Sequence, residues 1–163
     1  MARVDGYSMA PTLEDRDPRS VGVEHFAFTY SSLDDLFGQF ERMKAIIESH
    51  GGTVEKFIGD AVMAQWGAPL GEYDDADRAM ASALDMMEAL DTLNEHWTQQ
   101  GRPTLQIGIG LNIGDAFAGN IGSERRLEYT VIGDTVNTAS RLCGVADAGE
   151  ILVSEPFRAA LMT

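Results

Sequence analysis

Cysteine is almost missing from this chain, since Cys143 is the only cysteine among its 163 residues. An internal disulfide is therefore excluded, and a reducing cytoplasm is the expected location. Long hydrophobic runs are missing too, because no segment approaches the ~18 apolar residues that a membrane-spanning helix requires. The N-terminal stretch MARVDGYSMAPTLEDRDPRS also has no apolar centre of the kind that marks a signal peptide.

Positive charge is also in short supply. The chain has 12 Lys and Arg residues against 26 Asp and Glu residues, which leaves a formal net charge of −14. Nucleic acids and anionic membranes are bound by clusters of Lys and Arg, so neither is the expected main partner. A single nucleotide is not excluded, because a few local cations hold it and carboxylates recruit metal ions for the remaining phosphate charge.

Glycine and periodic hydrophobic patterns, by contrast, are plentiful and divide the chain into elements. Residues 1–20 are polar and are predicted to form a flexible leader, whereas residues 21–163 are predicted to form one domain. The patterns predict, in order, a strand at 21–30, a helix at 33–50, a hairpin at 53–66, a helix at 74–101, a strand at 104–114, a strand at 115–122 paired with it, a strand at 125–133, a helix capped by Asp134, and a strand with the start of a helix at 149–163.

The order of these elements predicts the fold class. Strands follow one another too often for a regular parallel βαβ sheet. The expected fold is α+β, with a ferredoxin-like βαββαβ core and a mixed, mostly antiparallel sheet that carries its helices on one face.

Asp60 is the first candidate functional residue, because it interrupts the otherwise apolar run KFIGDAVMAQW at residues 56–66. A carboxylate among apolar residues is costly unless it is paired. At the tip of a hairpin it can bind a divalent cation, or it can form a turn by accepting hydrogen bonds from nearby backbone N–H groups. Lys56 lies on the strand face shared by Ile58 and Asp60, and it is either part of the same site or a solvated lysine of an edge strand.

A second candidate pair lies in the stretch YTVIGDTVNTASRL. Asn137 and Arg141 are spaced i, i+4, so they share one helical face near a helix N-terminus, where the dipole favours anions. The guanidinium of Arg141 can hold a phosphate with several donors. The alternative is an Asn in the capping region and an Arg that covers apolar surface.

Three stretches together resemble the class III nucleotidyl cyclase homology domain, from about residue 36 to the C-terminus. They are GGTVEKFIGDAVMAQWGAP, GIGLNIGDAFAGNIGS and RLEYTVIGDTVNTASRLCGVADAGEILVS, and they follow the family's order. The resemblance implies an adenylyl cyclase that converts ATP to 3′,5′-cyclic AMP and pyrophosphate. It also implies a head-to-tail homodimer with two composite sites, and sensor or regulatory domains outside this chain.

The resemblance also implies roles for residues of the hairpin. Asp60 would be one of two carboxylates that hold two Mg²⁺ or Mn²⁺ ions, and Ile58 and Gly59 would lie beside the nucleotide. Lys56 would read the purine, and a lysine at this position is similar to the adenylyl type. Thr130 would be the second purine-reading residue of that type.

The remaining implied roles lie on and next to the third motif. Asn137 would orient the ribose, and Arg141 would stabilise charge that develops on the α-phosphate. Ile132 and Val136 would line the purine and ribose pocket. In the dimer, the metal site of one protomer would face the Asn and Arg of the other.

One position departs from the family pattern. Aligning VGVEHFAFTYSSL with the family's first strand puts Phe28 where the other metal-binding aspartate is expected, so no second carboxylate ligand is found. The chain also stops before the family's last strands, and the domain is therefore expected to be incomplete at both places. The alternative to an active cyclase is a non-catalytic, cyclase-like module that binds a nucleotide or dimerises. A cyclic-dinucleotide synthase is disfavoured, because the hairpin reads FIGDAV rather than GG(D/E)EF.

Overall fold

A computed structural model describes the backbone of residues 2–4, 7–9, 20–29, 33–123 and 126–162, and the side chains of residues 37–120 and 129–162. The elements are β1 (Ala2–Val4), β2 (Tyr7–Met9), β3 (Ser20–Thr29), α1 (Leu33–Ser49), β4 (Thr53–Ile58), β5 (Ala61–Trp66), α2 (Asp75–Gln99), β6 (Gln106–Asp115), β7 (Phe117–Ser123), β8 (Arg126–Ile132), α3 (Asp134–Val145), β9 (Glu150–Val153) and α4 (Glu155–Ala160).

The predicted ferredoxin-like core is confirmed. Seven strands form one sheet in the order β1-β2-β9-β6-β3-β5-β4, and the unit from β3 to β6 has the predicted βαββαβ order. Strand β3 is antiparallel to both β5 and β6, whereas β9 is parallel to β6 and to β2. The sheet is therefore mixed and mostly antiparallel, as expected.

The N-terminal segment contains two short strands. Strands β1 and β2 form an antiparallel pair, and β2 extends the sheet beyond β9. Residues 10–19 lie outside the described residues. The division into a leader at residues 1–20 and a domain at residues 21–163 stays a prediction.

The predicted pairing of residues 115–122 with the preceding strand is wrong. Strand β7 pairs with β8 as a separate two-stranded sheet, with Phe117 opposite Ile132. The reason is that β6 is already hydrogen-bonded on both edges, to β3 and to β9. A strand has only two edges, so the next segment turns away and forms its own ribbon.

One face of the large sheet holds the main core. Helices α1 and α2 have apolar stripes at helical spacing, and alternate residues of β5 and β6 meet them. Its buried members include Met43, Ile47, Val62, Ala64, Trp66, Ala79, Ala83, Met86, Leu90, Ile107, Ile109, Leu111 and Phe157. Phe37 of α1 is not part of this core and is 63% exposed. No helix in the described part of the chain is long and apolar enough to span a bilayer.

Helix α3 packs on the opposite face, so the expectation that the helices share one face is wrong. Met63 of β5 points away from the main core and packs with Val131 and Ala139. Glycines at alternate positions of β6 leave room for the helix, because a Cβ atom at Gly110 would clash with backbone atoms of Ala139 and Cys143. Bare backbone on this face is what allows α3 to lie so close to the sheet.

Gly110 therefore gives a stability prediction. We expect Gly110→Ala to lower the free energy of unfolding by about 1–3 kcal/mol, the usual cost of overpacking, because the new methyl group meets backbone that does not yield easily. Urea denaturation followed by circular dichroism measures this change. The control is Gly144→Ala in α3, where a Cβ atom would meet nothing within 4 Å, so that stability should rise by about 0.5–1 kcal/mol through helix propensity. Equal stabilities for the two variants would contradict the close packing of α3.

Candidate functional site

The hairpin tip presents the predicted metal ligand to solvent. Gly59 has a φ of 63°, a left-handed conformation that glycine adopts without steric cost, so the chain reverses within a two-residue turn. Asp60 follows it and is exposed, and Ile58 is 50% exposed beside it. The Asp60 carboxylate accepts no hydrogen bond from a described backbone or side-chain group, so a turn-forming role has no support among those groups. It remains available as a ligand.

Lys56 lies on the face of the sheet that carries α3. In the β4–β5 register Lys56 is opposite Met63, and directly paired residues point to the same face. Met63 packs with Val131 of β8, so Lys56 and the end of β8 belong to one surface. The side chain of Lys56 is exposed there. Lys56 thus lies on the side of the sheet against which Val131 of β8 packs.

Thr130 is buried at this surface, with only 8% of the residue exposed. Its Oγ1 atom has no partner that meets hydrogen-bond geometry, although the Glu55 carboxyl makes a less well aligned polar contact with it. Burying a hydroxyl without a full hydrogen bond is costly, which makes Thr130 a group that a ligand would satisfy.

Glu55 is a residue that the sequence reasoning missed. The β4–β5 register shifts between Val54 and Lys56, so Glu55 is the extra residue of a β-bulge. Burial raises the pKa of the Glu55 carboxyl above its ordinary value, and the Lys56 charge and polar contacts with Thr130 and the Val131 backbone offset part of the increase. The adjacent acidic and basic residues Glu55 and Lys56 in VEKFIGD were visible in the sequence. The β-bulge that contains Glu55 could not be predicted from the sequence.

Helix α3 presents the predicted ribose and phosphate residues outward. Asn137 and Arg141 are both exposed, whereas Ala139 and Cys143 on the opposite face pack against the sheet. Neither exposed side chain forms an ion pair or hydrogen bond with another side chain that the structure describes. Both side chains are therefore accessible to a ligand or to a second copy of the chain.

The start of α3 is anchored to β6 by two hydrogen bonds that the sequence did not indicate. Thr135 Oγ1 donates to the Asp115 carbonyl oxygen at 2.6 Å, and Asn112 Nδ2 donates to the Thr135 carbonyl oxygen at 3.0 Å. The predicted cap, Asp134, is not the cap: Gly133 is the N-cap residue, with a φ of 145°, and Asp134 is the first helical residue. Asp134 instead places its charge in the first turn, where the helix dipole favours it.

The two predicted pocket residues have different positions. Ile132 lies at the rim of an open cavity of about 440 Å³, lined by Asp115, Ala116, Phe117, Ile132 and Gly133. Val136 is partly buried against the small cluster formed by Met63, Val131 and Ala139. Ile132 is thus open to a ligand, whereas Val136 mainly supports the packing of α3.

Within one chain, Asp60 and Arg141 are not paired. The negative charge of Asp60 acts on Cys143: burial raises the pKa of the Cys143 thiol to about 11, and the Asp60 charge adds to this increase. Arg141 is exposed on α3. No ion pair joins Asp60 and Arg141 among the described side chains.

The residues present do not fit a pair of metal ions. Ala27 of β3 is paired with Ala61 of β5. Continuing this antiparallel register by one residue would set Phe28 opposite Asp60. This is the position at which a second carboxylate would share ions with Asp60. In the described part of the chain, no group of three or more His, Cys, Asp or Glu residues is placed to hold a metal ion. Among the described side chains, Asp60 is the proposed ligand, together with the oxygen atoms that a bound nucleotide would supply.

Comparison with known proteins identifies the class to which this fold and site belong. The family model "Adenylate and Guanylate cyclase catalytic domain" matches residues 25–163. The chain belongs to this family of class III adenylate and guanylate cyclase catalytic domains.

Individual relatives lead to the same class. The chain is 35% identical over 141 residues to adenylate cyclase 1 of Rhizobium meliloti (strain 1021), which covers 86% of this chain and 20% of that protein. The chain thus spans about one fifth of the length of that relative. Among solved structures, it is similar to the adenylyl cyclase CyaB from P. aeruginosa, with a TM-score of 0.80, 32% identity and coverage of 86% of this chain and 79% of that one. It is also similar to the guanylyl cyclase Cya2, with a TM-score of 0.79, 31% identity and coverage of 91% and 81%.

Proposed function

We propose that this chain is the catalytic domain of an adenylate cyclase that converts ATP to 3′,5′-cyclic AMP and pyrophosphate. The observation that carries the proposal is the buried hydroxyl of Thr130, which has no hydrogen-bond partner and lies next to Val131. Val131 packs with Met63, the residue paired with the exposed Lys56, and we assign Lys56 and Thr130 as the base-reading pair. A flat base with both donor and acceptor groups on its edge would satisfy this pair. The buried free thiol of Cys143 suits a reducing compartment, so the cytoplasm is the proposed location.

Lys56 and Thr130 favour adenine by their hydrogen-bonding chemistry. An ammonium group only donates, so it suits the unprotonated ring nitrogen N1 of adenine and not the N–H group at the same position of guanine. A hydroxyl group can accept from the exocyclic amino group of adenine. Ile132, exposed at the rim of its cavity, offers apolar surface to the base.

Asn137 and Arg141 support a composite site in a homodimer. Both are exposed and form no hydrogen bond or ion pair with a described side chain of their own chain, so they would be available to the Asp60 site of a second copy. A two-fold dimer repeats the arrangement and contains two such sites. The exposed apolar residues Phe117 and Ile132 of the β7–β8 ribbon supply surface that such a partner would bury.

The reaction requires little covalent chemistry from the protein itself. The ribose 3′-oxygen forms a bond to the α-phosphorus, the bond from that phosphorus to the β-phosphate oxygen breaks, and the hydroxyl proton leaves to solvent. Asn137 would orient the ribose, and Arg141 would neutralise charge on the α-phosphate in the transition state. A Mg²⁺ or Mn²⁺ ion shared by Asp60 and the substrate phosphates would supply further charge neutralisation.

The direct test is cyclic AMP formation by the 163-residue chain with ATP and Mn²⁺, at high protein concentration to favour the dimer. Product above a protein-free blank, which is lost in Arg141→Ala, is the expected result. If ATP binds with no product, the chain is not an active cyclase. If no nucleotide binds at all, the proposed substrate is wrong.

Lys56→Glu tests the base preference. An acidic side chain accepts where lysine donates, so we expect the ratio of kcat/KM for ATP over GTP to fall roughly 10- to 100-fold, the size of one charged hydrogen bond. The measurement is turnover or competitive binding with both nucleotides. The matched control is Lys44→Glu in α1, where the lysine lies 3.9 Å from Glu48 on the surface. An unchanged ratio in Lys56→Glu would contradict the assignment.

One observation favours a second candidate function. Phe28 stands where the sequence pattern expects the other metal-binding aspartate, and the described residues contain no group of three or more metal-ligating side chains. The chain therefore also suits a non-catalytic module that binds a nucleotide and dimerises. If the chain is such a module, it should bind ATP and form a dimer but produce no cyclic AMP with any divalent metal ion. If it is a cyclase, it should produce cyclic AMP slowly but measurably, and this activity should depend on Arg141.

A further inference from the structure

The face of β6 that supports α3 is a row of glycines with one side chain. Alternate residues of a strand share a face, so this row consists of Gly108, Gly110, Asn112 and Gly114. A Cβ atom at Gly110 would lie 2.4 Å from backbone atoms of α3, and one at Gly114 would lie 2.8 Å from Oγ1 of Thr135. Helix α3 therefore packs against bare backbone, and Asn112 provides the single side chain of the row.

A glycine row holds a helix close to a sheet but does not fix its position along or around its own axis. Packed helices are normally held in place by rows of side chains that fit into the grooves of the neighbouring surface. Van der Waals contacts with a flat backbone surface have little directionality, whereas hydrogen bonds have a preferred distance and angle. The exact position of α3 therefore depends on its hydrogen bonds to β6.

Two hydrogen bonds supply this directional contact, and we call them the α3 anchor. Asn112 Nδ2 donates to the Thr135 carbonyl oxygen at 3.0 Å, and Thr135 Oγ1 donates to the Asp115 carbonyl oxygen at 2.6 Å. Asn112 and Thr135 are both buried, so water does not compete for these bonds. The N-cap residue, Gly133, has no side chain that could cap the helix. At this end of α3, the two bonds to β6 take over the task of fixing the helix.

The anchor lies close in the chain to the two residues that are proposed to act on the ribose and the α-phosphate. Asn137 follows Thr135 by two residues and Arg141 follows it by six residues in the same helix. At a rise of 1.5 Å per residue, these distances are about 3 Å and about 9 Å along the helix axis. A helix is stiff over such a length, so a shift or rotation at Thr135 moves both side chains. Asp115, which accepts the second bond, also lines the cavity of about 440 Å³.

We propose that Asn112 and Thr135 are positioning residues, which fix the place and rotation of α3 and thereby aim Asn137 and Arg141 at the ribose and the α-phosphate. This inference rests on the function proposed above and adds a requirement for the geometry of the same site. Both residues are buried beneath the helix, so they act through α3 and do not touch the substrate.

Thr135→Val tests the anchor with little change of shape, because it removes the hydroxyl group and keeps a branched side chain. We expect kcat for cyclic AMP formation to fall roughly 10- to 100-fold, the scale of a misplacement of about 1 Å at a reacting centre. Binding of a non-reactive ATP analogue should stay nearly unchanged, because the affected contacts act mainly in the transition state. Thr135→Ser keeps the hydroxyl group and should recover most of the kcat.

Asn112→Ala and Asn94→Ala form a matched pair that separates positioning from stability. Asn94 of α2 also bonds to backbone, since it donates to the Leu105 carbonyl oxygen at 2.7 Å and accepts from the Leu105 N–H group at 2.8 Å. Both variants should lower the free energy of unfolding, which urea denaturation measures. Only Asn112→Ala should also lower kcat per folded molecule. This pair provides the decisive comparison if Thr135→Val does not fold.

The outcomes distinguish this inference from the proposed function. If the unmodified chain makes no cyclic AMP, the proposed function fails and this inference fails with it. If the unmodified chain is active and neither Thr135→Val nor Asn112→Ala lowers kcat, only the anchor role is wrong. Thr135→Ser as impaired as Thr135→Val, or Asn94→Ala as impaired as Asn112→Ala, would also overturn it. Loss of kcat in Thr135→Val and Asn112→Ala, with Thr135→Ser and Asn94→Ala active, is the supporting result.

Discussion

Arg141→Ala is expected to lower the kcat for cyclic AMP formation by a factor on the order of 10²–10³ while leaving ATP binding nearly unchanged. The physical reason is that charge on the α-phosphate grows only as the 3′-oxygen attacks, so a guanidinium placed there stabilises the transition state more than the substrate. Steady-state kinetics gives kcat, and equilibrium titration with a non-reactive ATP analogue gives binding. A large loss of binding with unchanged kcat would assign Arg141 to substrate capture instead.

Arg158→Ala is the matched control for this prediction. Arg158 is also on a helix and is half exposed, but it pairs with Glu155 on α4, away from the hairpin and from α3. Removing it takes away the same charge without touching the proposed site. An equal loss of turnover in both variants would point to a general effect of net charge on a chain that is already strongly acidic.

The same variant tests whether the site is shared between two copies. Mixing Arg141→Ala with the separately inactive Asp60→Asn should restore about a quarter of the normal activity, because half of the randomly formed dimers are mixed and each mixed dimer has one intact site. Activity no higher than that of the two separate variants would contradict a composite site in which Asp60 and Arg141 come from different copies.

Phe28→Asp is expected to increase Mn²⁺-dependent turnover by about 100-fold. The register continues from the Ala27–Ala61 pair, so an aspartate at residue 28 would lie across from Asp60 on the neighbouring antiparallel strand. Paired positions on adjacent strands have Cβ atoms about 4.5–5.5 Å apart, a distance at which two carboxylates can share metal ions. Each added contact to the developing charge is worth several kcal/mol in two-metal sites, which sets the expected scale of the gain.

Phe28→Asn is the control, since it has nearly the same size and polarity as Phe28→Asp but lacks the negative charge. The gain should appear only in the aspartate variant and should depend on the concentration of Mn²⁺. Equal activities of the two variants would show that the missing carboxylate does not limit the reaction. A high activity of the unmodified chain would also show that the missing carboxylate does not limit the reaction. Another group would then have to bind the metal ion in place of that carboxylate.

Much of the fold was predictable because it depends on local patterns. The helical period of α1 and α2, the left-handed glycine at residue 59 and the β-rich segments were visible as sequence patterns, and the structure has each of these elements close to the expected bounds. The order of strands and helices was enough to predict the ferredoxin-like core. These features follow from backbone sterics and from burial of one face per element, which act over a few neighbouring residues.

The errors came from contacts between residues that are distant in the sequence. That β7 pairs with β8 follows from the occupied edges of β6, and the position of α3 follows from the bare backbone at Gly110. The bulge at Glu55 depends on how β4 meets β5, which no pattern within β4 reveals. Each of these depends on competition for the same edge or the same space, and a single segment does not contain that information.

For the candidate site, too, the sequence determined some features and only the tertiary structure determined others. The sequence by itself determined which residue types are available for the chemistry, namely the carboxylate of Asp60, the charges of Lys56 and Arg141 and the amide of Asn137, together with the resemblance that relates them to cyclases. Only the tertiary structure decided that Lys56 is paired with Met63, that Arg141 is exposed on α3, and that β3 pairs with β5 as far as Ala27 and Ala61. The physical reason is that chemical groups are properties of single residues, whereas the direction in which each group points is set by strand register and helix packing.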